Sequence, residues 1–508
     1  MNRLAEARPD PPQAKVCRES YSGETFGLGI MILSLAKVAE VLGSGERVSD
    51  CVARGCAIDS RRVQPGQLFF AIRGPKHNGH DFVGAVLEQG AAGAVVESEF
   101  SDHSPVSLRP RLVSVADTTK ALQTLAHYVR LQWAGCVIAV TGSMGKTTTK
   151  ELIAALLATR FRVLKSQGNL NNHYGLPLTL LSLEPSHEVA VVELAMSAAG
   201  EIARLAKIAA PDVGVVTNVA PVHLEFFDSV DSIASAKREL IENLSSRNGK
   251  PVAVLNFDDA RVRKFAEGFE GRLVTYGLNE GALFRGTKVE PCEGGRRFFL
   301  SGPDFAGEFT IPLPGTHNVE NALAALAAVS SCGLNLGTLG PALANFRNLA
   351  QRSEIFTLPG DITVLNDSYN SNPLAMECMI ETLAGWQGAV RRIVVAGEML
   401  ELGPSSPEWH RKIGRKLVEW GIDGLIAVQG DARFIREGAL EAGMDPAKAM
   451  FFASAAEAAR YCSSLLEPGD IVLVKGSRGV NLEKVTELLA KSFGCPSSVS
   501  HKVPERMG

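Results

Sequence analysis

The sequence predicts an α/β protein of three domains. A central, doubly wound, mostly parallel sheet carries a phosphate-binding loop, flanked by a small N-terminal α/β domain and a C-terminal Rossmann-like α/β domain. Three observations carry this prediction. At 508 residues the chain is too long for one hydrophobic core. From Gly135 onward, short apolar runs alternate regularly with helical segments. Finally, Val137-Ile138-Ala139-Val140 runs into Thr141-Gly142-Ser143-Met144-Gly145-Lys146-Thr147-Thr148, and a helix-forming segment follows from Glu151 to Thr159. Strand, glycine turn and helix lets backbone N–H groups converge on an anion, with the helix N-terminus adding its positive dipole. Lys146 would reach the β- and γ-phosphates, and the Thr147 hydroxyl would ligate Mg²⁺. The eight-residue Walker pattern wants glycine at its first position, where Val140 stands.

Taken in order, residues 1–30 mix Pro, Arg, Glu and Ser without periodicity and read as a loose tail. Residues 31–133 form the first domain. Leu35, Val38, Ala39 and Leu42 lie on one face of a helix that Gly43 stops. In Ala57 to Ile72, two short strands flank a Pro65-Gly66 turn, and Asp59-Ser60-Arg61 ends the first of them. A helix from His80 to Gln89, a strand at Ala94-Val95-Val96 and a helix capped near Asp117 complete the domain. The central domain spans 134–346, with strands expected at Val137–Val140, Arg162–Leu164, Val189–Glu193, Val213–Thr217, Val252–Asn256 and Leu273–Tyr276. Residues 283–313 suggest a short antiparallel patch, and an alanine-rich helix runs from about Val319 to Ser330. The third domain spans 347–493, with strands at Ile362–Leu365, Arg392–Ala396, Gly424–Val428 and Ile471–Val474, and 494–508 reads as a second loose tail.

Composition excludes several functions. The chain is 45% hydrophobic and 21% charged with net charge −3, which gives nucleic acid no electrostatic footing. The nine cysteines are scattered, and Cys51 and Cys56 lack a second pair to build a zinc site, so buried free thiols in a reducing cytoplasm are expected. No apolar run reaches the ~18 residues that span a bilayer.

Parallel sheets present ligands at the carboxyl ends of their strands. In the central domain those ends carry Glu193 and Asn218, with His223 and Glu225 just beyond. A carboxylate and a histidine near a nucleotide phosphate suit Mg²⁺ binding. Equally, His223 reads as a packed or capping histidine. Lys237, by its local sequence, is a surface helix lysine. The loop from Gly168 to Pro177, with Asn169, Asn171 and Asn172, suits a polyhydroxylated or peptide ligand, or is a run of turn-forming asparagines. Asn318 reads as a helix N-cap, and Asn321 could read an adenine edge. Two further polar strand-end loops, Asn366 to Pro373 and Lys475 to Gly479, give the third domain a binding face.

Together these segments resemble the Mur ligase family, the ATP-dependent amide-forming enzymes of peptidoglycan precursor synthesis. The likeness runs from about residue 31 to 490. It rests on Thr141–Lys150, on Asn169–Leu181, on Asn366-Asp367-Ser368-Tyr369-Asn370-Ser371-Asn372-Pro373, and on Gly397-Glu398-Met399-Leu400-Glu401-Leu402-Gly403. It is strongest to members that add D-alanyl-D-alanine to UDP-N-acetylmuramoyl-tripeptide. The resemblance implies that Val140 is no defect, because the family uses a shorter glycine loop. It implies that Gly142, Ser143, Met144, Gly145, Lys146, Thr147, Thr148, Asn321, Arg352 and Asp367 bind ATP. It further implies that Thr147, Glu193 and His223 help hold Mg²⁺, with two ions expected, and that Lys237 is carbamylated as a further metal ligand. Ser60 and Arg61 would meet the uridine nucleotide, while Tyr369, Asn370 and Asn372 would meet the incoming amine, with Asn171 and Asn172 also on the substrate side. A cytoplasmic monomer, without nucleic acid or membrane insertion, is the implied state. The sister ligase adding the third amino acid to UDP-N-acetylmuramoyl-dipeptide is the alternative, but its Asp-Asn-Pro-Arg motif is absent. A non-catalytic nucleotide-binding scaffold is the other, and the intact Lys146, Thr147, Glu193, His223 and Lys237 weigh against it.

Overall fold

The computed structural model describes residues 32–45, 47–222, 224–245 and 249–494. The tail expected at 1–30 and nearly all of the one expected at 494–508 lie outside them. Among the described residues no helix is long and apolar enough to cross a membrane.

The first region opens on a short strand, Ile32–Ser34, and the helix Leu35–Leu42, capped by the Ser34 side chain and stopped by Gly43 at φ 69°. A four-stranded sheet follows in sequence order, from Cys56–Ala57 through Leu68–Phe70 and Gly93–Glu97 to Leu112–Val115. The two strands flanking Pro65-Gly66 pair in parallel, because a 3-10 turn at Ser60–Arg62 carries the chain back to start the second strand at the same end as the first. Asp117 caps the helix Thr118–Gln132, accepting from Thr119 and Lys120 N–H. That helix packs on two helices of the next region, and its fully buried Arg130 donates to Ala209 O (2.9 Å), Ala210 O (3.0 Å) and Asp212 Oδ2 (2.9 Å). The two regions thus share one apolar core.

The central sheet has nine strands. From one edge these are Val163–Lys165, Val189–Glu193, Cys136–Thr141, Val213–Val216, Val252–Asn256, Arg272–Gly277 and Phe284–Cys292, all parallel, then Gly295–Ser301 and Ala306–Ile311, antiparallel. The antiparallel patch expected over 283–313 is therefore an extension of the main sheet, not a separate one. Val189–Glu193 is buried at every residue, as a strand covered on both faces requires. After Cys136–Thr141 the chain winds outward to Val163–Lys165, returns to Val189–Glu193, and then crosses to Val213–Val216 on the other flank. The glycine loop leaves the sheet where this winding reverses, the position at which such sheets hold ligands.

The C-terminal sheet has six strands in the order Glu354–Leu358, Ile362–Asn366, Ile471–Lys475, Arg392–Gly397, Gly424–Val428 and Ala449–Phe452. All pairs are parallel except the first, which forms an antiparallel edge. Sequence patterning missed both outer strands. Glu354–Leu358 has no fully apolar run, and Ala449–Phe452 is only partly buried at the sheet edge.

Candidate active site

The glycine loop is held by the strand beside it. Gly142 (φ 150°) and Gly145 (φ 79°) sit in backbone regions that side chains rarely adopt. A Cβ at Gly142 would run into the Thr217 hydroxyl, and one at Gly145 into the Asn321 amide. Ser143 and Met144 N–H donate to Asn218 O and Oδ1 (both 2.9 Å), and Thr217 Oγ1 donates to Met144 O (2.6 Å). Asn218 thus buttresses the loop. Asn321 does the same from the alanine-rich helix Thr316–Ser331, accepting from Thr149 Oγ1 (3.2 Å) and donating to Asn318 Oδ1 (3.1 Å). Asn318 is no N-cap: it lies inside the first turn, because Gly315 occupies the cap position.

The helix after the loop begins at Lys146 with Gly145 as its cap, and no side chain covers its first N–H groups. Lys146 Nζ donates to Gly142 O (2.8 Å), and burial lowers its pKa from the ordinary value. Thr147 Oγ1 donates to Glu193 Oε2 (2.8 Å), while Asn171 Nδ2 donates to Glu193 Oε1 (2.9 Å), so one buried carboxylate is oriented from both sides. Glu193 reaches this place because it ends its strand level with Val140 in the adjacent strand, just before the glycine loop. Asn172 does different work: its Oδ1 accepts from Tyr174 and Gly175 N–H (3.1 and 2.9 Å), closing the turn before the helix Gly175–Leu180.

Lys237 corrects its local reading. It is 2% exposed, not a surface lysine, because the helix Val230–Glu242 turns this face onto the core. Burial, and then the Lys146 charge, push its ammonium well below the ordinary range. Among the described residues no hydrogen bond or ion pair is found for its Nζ. His223 lies outside the described residues.

The C-terminal region faces the loop with three strand ends. After Ile362–Asn366, Asp367 accepts from Ser353 N–H (2.8 Å) and from Lys475 Nζ, and Lys475 also donates to Asn370 O (2.9 Å). Ser477 joins the other two ends, donating through N–H to Glu398 O (3.0 Å) and accepting from Leu400 N–H at its Oγ (2.9 Å). Asn372 caps the helix Pro373–Ala384 by accepting from Ala375 N–H (2.9 Å). The Arg352 guanidinium sits 4.1 Å from the Tyr369 ring centre.

Between these faces lies a cavity of about 360 Å³. It gathers Ser143, Met144, Gly145, Lys146, Thr147, Thr148, Asn171, Glu193 and Asn321 from the central region with Arg352, Asp367, Tyr369, Asn370 and Asn372 from the C-terminal one. Gly142, Asn172 and Lys237 do not line it, nor do Ser60 and Arg61. Arg61 is an exposed side chain paired with Asp59 (2.8 Å) in the first region. The cavity also recruits Lys475 and Arg478, from the strand-end loop expected to give a binding face, and His317, to which the sequence assigned no role. Burial drives the His317 pKa down to about 4, so the ring is neutral at pH 7. A lysine and an arginine after an apolar strand were the available signal for the other two.

Three Mur ligase domains match the chain in order: the catalytic domain at 53–130, the middle domain at 140–329 and the glutamate ligase domain at 351–478. The UDP-N-acetylmuramoyl-tripeptide--D-alanyl-D-alanine ligase of Bacillus subtilis is 32% identical over 461 residues, covering 91% of this chain and 98% of that one. This chain belongs to the Mur ligase family. It is therefore a ligase. Among solved structures, MurF from Acinetobacter baumannii aligns with a TM-score of 0.83 at 29% identity, covering 91% of this chain and 100% of that one. MurF from Thermotoga maritima in complex with ADP aligns with a TM-score of 0.77 at 30% identity, over 87% and 98% of the two chains.

Proposed function

We propose that this Mur ligase joins D-alanyl-D-alanine to UDP-N-acetylmuramoyl-tripeptide at the expense of ATP, giving UDP-N-acetylmuramoyl-pentapeptide, ADP and phosphate. The observation that carries this reading is the shared cavity, where a glycine loop with an uncapped helix start faces the strand ends of a second sheet. Support comes from the relatives that bear this activity in their names and from an ADP-bound neighbour of the same fold.

In this reading the tripeptide's terminal carboxylate attacks the γ-phosphorus of ATP, the bond to the bridging oxygen breaks, and ADP leaves. The dipeptide amine then attacks the acyl phosphate carbonyl, a proton is lost from nitrogen, and phosphate departs. Lys146 and the loop N–H groups hold the phosphates, so catalysis is mainly positioning and electrostatics. The residues fit a magnesium ion: the Thr147 hydroxyl and Glu193 carboxylate form a buried, all-oxygen pair 2.8 Å apart. Bound there, Mg²⁺ supplies positive charge between two approaching anions. Lys237 suits carbamylation, since burial favours its neutral amine, which can attack CO₂, lose a proton and become an anionic oxygen ligand for a second ion. We assign 31–133, with Ser60 and Arg61, to the uridine nucleotide, 134–346 to ATP, and 347–493 to the incoming dipeptide. We place the reaction in the cytoplasm and the working unit as a monomer.

The test is ADP release and amide formation with the UDP-tripeptide and D-alanyl-D-alanine supplied singly and together. Amide product only when both are present is expected. ADP release that needs neither, or no amide with both, overturns the reading.

A further inference from the structure

Charged groups lining the cavity outnumber the tasks assigned so far. They are Lys146, Glu193, Arg352, Asp367, Lys475 and Arg478. Glu193 is turned toward Thr147, and Asp367 is neutralised by Lys475, whose ammonium is 2% exposed. Arg352 lies close enough to Lys146 for its charge to oppose that ammonium, which places both beside the phosphate loop. Arg478 remains. It begins the turn after Ile471–Lys475, the strand around which the winding of the C-terminal sheet reverses, from Ile362–Asn366 on one side to Arg392–Gly397 on the other. Its turn is tied to both neighbours, since Ser477 also donates to Ser371 O (3.3 Å).

The guanidinium is aimed before any ligand arrives. Its Nη1 donates to Gln351 Oε1 (3.1 Å) and lies 3.6 Å from Glu483 Oε1, and its centre is 5.7 Å from the Tyr369 ring that Arg352 covers more closely. Among the described residues, Nε and Nη2 have no hydrogen-bond partner. Fixing one nitrogen while sparing the other edge leaves the two parallel donors that match a carboxylate. The side chain is 57% exposed, open to a ligand entering from solvent.

We propose that Arg478 binds the free C-terminal carboxylate of the incoming dipeptide, so that the enzyme selects amines carrying an unblocked carboxylate. This rests on the ligase reading above, in which that carboxylate is the one anionic group of the dipeptide and takes no part in bond formation. Phosphate contacts fall to Lys146 and Arg352, and orientation of the amine to Arg478.

The experiment compares D-alanyl-D-alanine with its C-terminal amide on the full-length enzyme, its Arg478→Gln variant and its Arg478→Lys variant. Steady-state constants are measured for each dipeptide, for ATP and for the UDP-tripeptide, and melting temperatures alongside. The intact enzyme is expected to prefer the acid by about 10- to 100-fold in kcat/KM, the worth of a charge-assisted hydrogen bond. Arg478→Gln brings that ratio near one through a raised KM for the acid, and Arg478→Lys keeps part of it. A wild-type ratio in Arg478→Gln, or a rise confined to the KM for ATP, overturns the proposal. Should Arg478→Gln fail to fold, equal rates on acid and amide in the wild-type enzyme overturn it as well. Absence of product with either dipeptide instead overturns the ligase reading on which it stands.

Discussion

The central and C-terminal sheets each reverse their winding beside the same cavity, yet they are equipped in opposite ways. The central one offers a helix whose first N–H groups are uncapped, behind glycines at positive φ. The C-terminal one caps its helix with its own Asn372 and ties its strand ends with side chains, Lys475 to Asp367 and the Ser477 hydroxyl to the Leu400 N–H. An uncapped helix start is built to receive an external anion, whereas a capped one is built to hold side chains still. In the proposed reading the first site grips by backbone and the second selects by side chain.

Four measurements break or sharpen that contrast. The largest effect is expected at the backbone site. Lys146→Met should cut ADP release about 10³-fold with little change in melting temperature, because the lysine acts on ligand charge. A loss below tenfold would put the phosphates elsewhere. At the side-chain site the expectation inverts. Lys475→Met should cost about 2 kcal/mol of stability by leaving the partly buried Asp367 without its cation, with Lys475→Met/Asp367→Asn recovering most of it in denaturant titrations. Equal stability of the single variant and the parent would mean the pair holds nothing in place.

A smaller effect separates two neighbouring asparagines. Asn171→Ala releases one side of Glu193 and should raise the Mg²⁺ concentration needed for half-maximal ADP release about 10-fold. Asn172→Ala should leave that midpoint unchanged and cost about 1 kcal/mol of stability, as lost caps do. The smallest effect lies at the seam of the two regions. Burial, then Asp258, Glu381 and Asp259, raise the Glu320 carboxyl to about 7. Between its ordinary value of 4.5 and about 7 the folded chain keeps a proton that the unfolded chain has released. Its contribution to stability therefore falls as pH rises through that window. Glu320→Gln should raise the melting temperature by about 1–2 °C at pH 8 and leave it unchanged at pH 4, read by calorimetry at both. An equal shift at both values would assign the effect to packing.

Much of this was legible in the chain. Val189–Glu193, Val252–Asn256 and Gly424–Val428 are bounded in the structure as their apolar runs are bounded in the sequence, since strands buried on both faces tolerate no polar interruption. The glycine loop was legible because backbone geometry demands particular residues at consecutive positions. Glu354–Leu358 was not, because an edge strand is half exposed and lacks that signature. Lys237 was misread because helical spacing alone does not say which neighbours cover a face.

By itself the sequence determined the three-domain α/β architecture, the phosphate cradle and the family, since each is written in contiguous residues or in their order. Tertiary structure alone decided that Glu193 meets Thr147 and Asn171, that Lys237 is buried, that Asn218 and Asn321 brace the loop, and that Arg478 shares a cavity with Lys146. Those relations join residues tens to hundreds of positions apart. Their energies depend on distance and desolvation, which exist only once the sheets have wound and closed on each other.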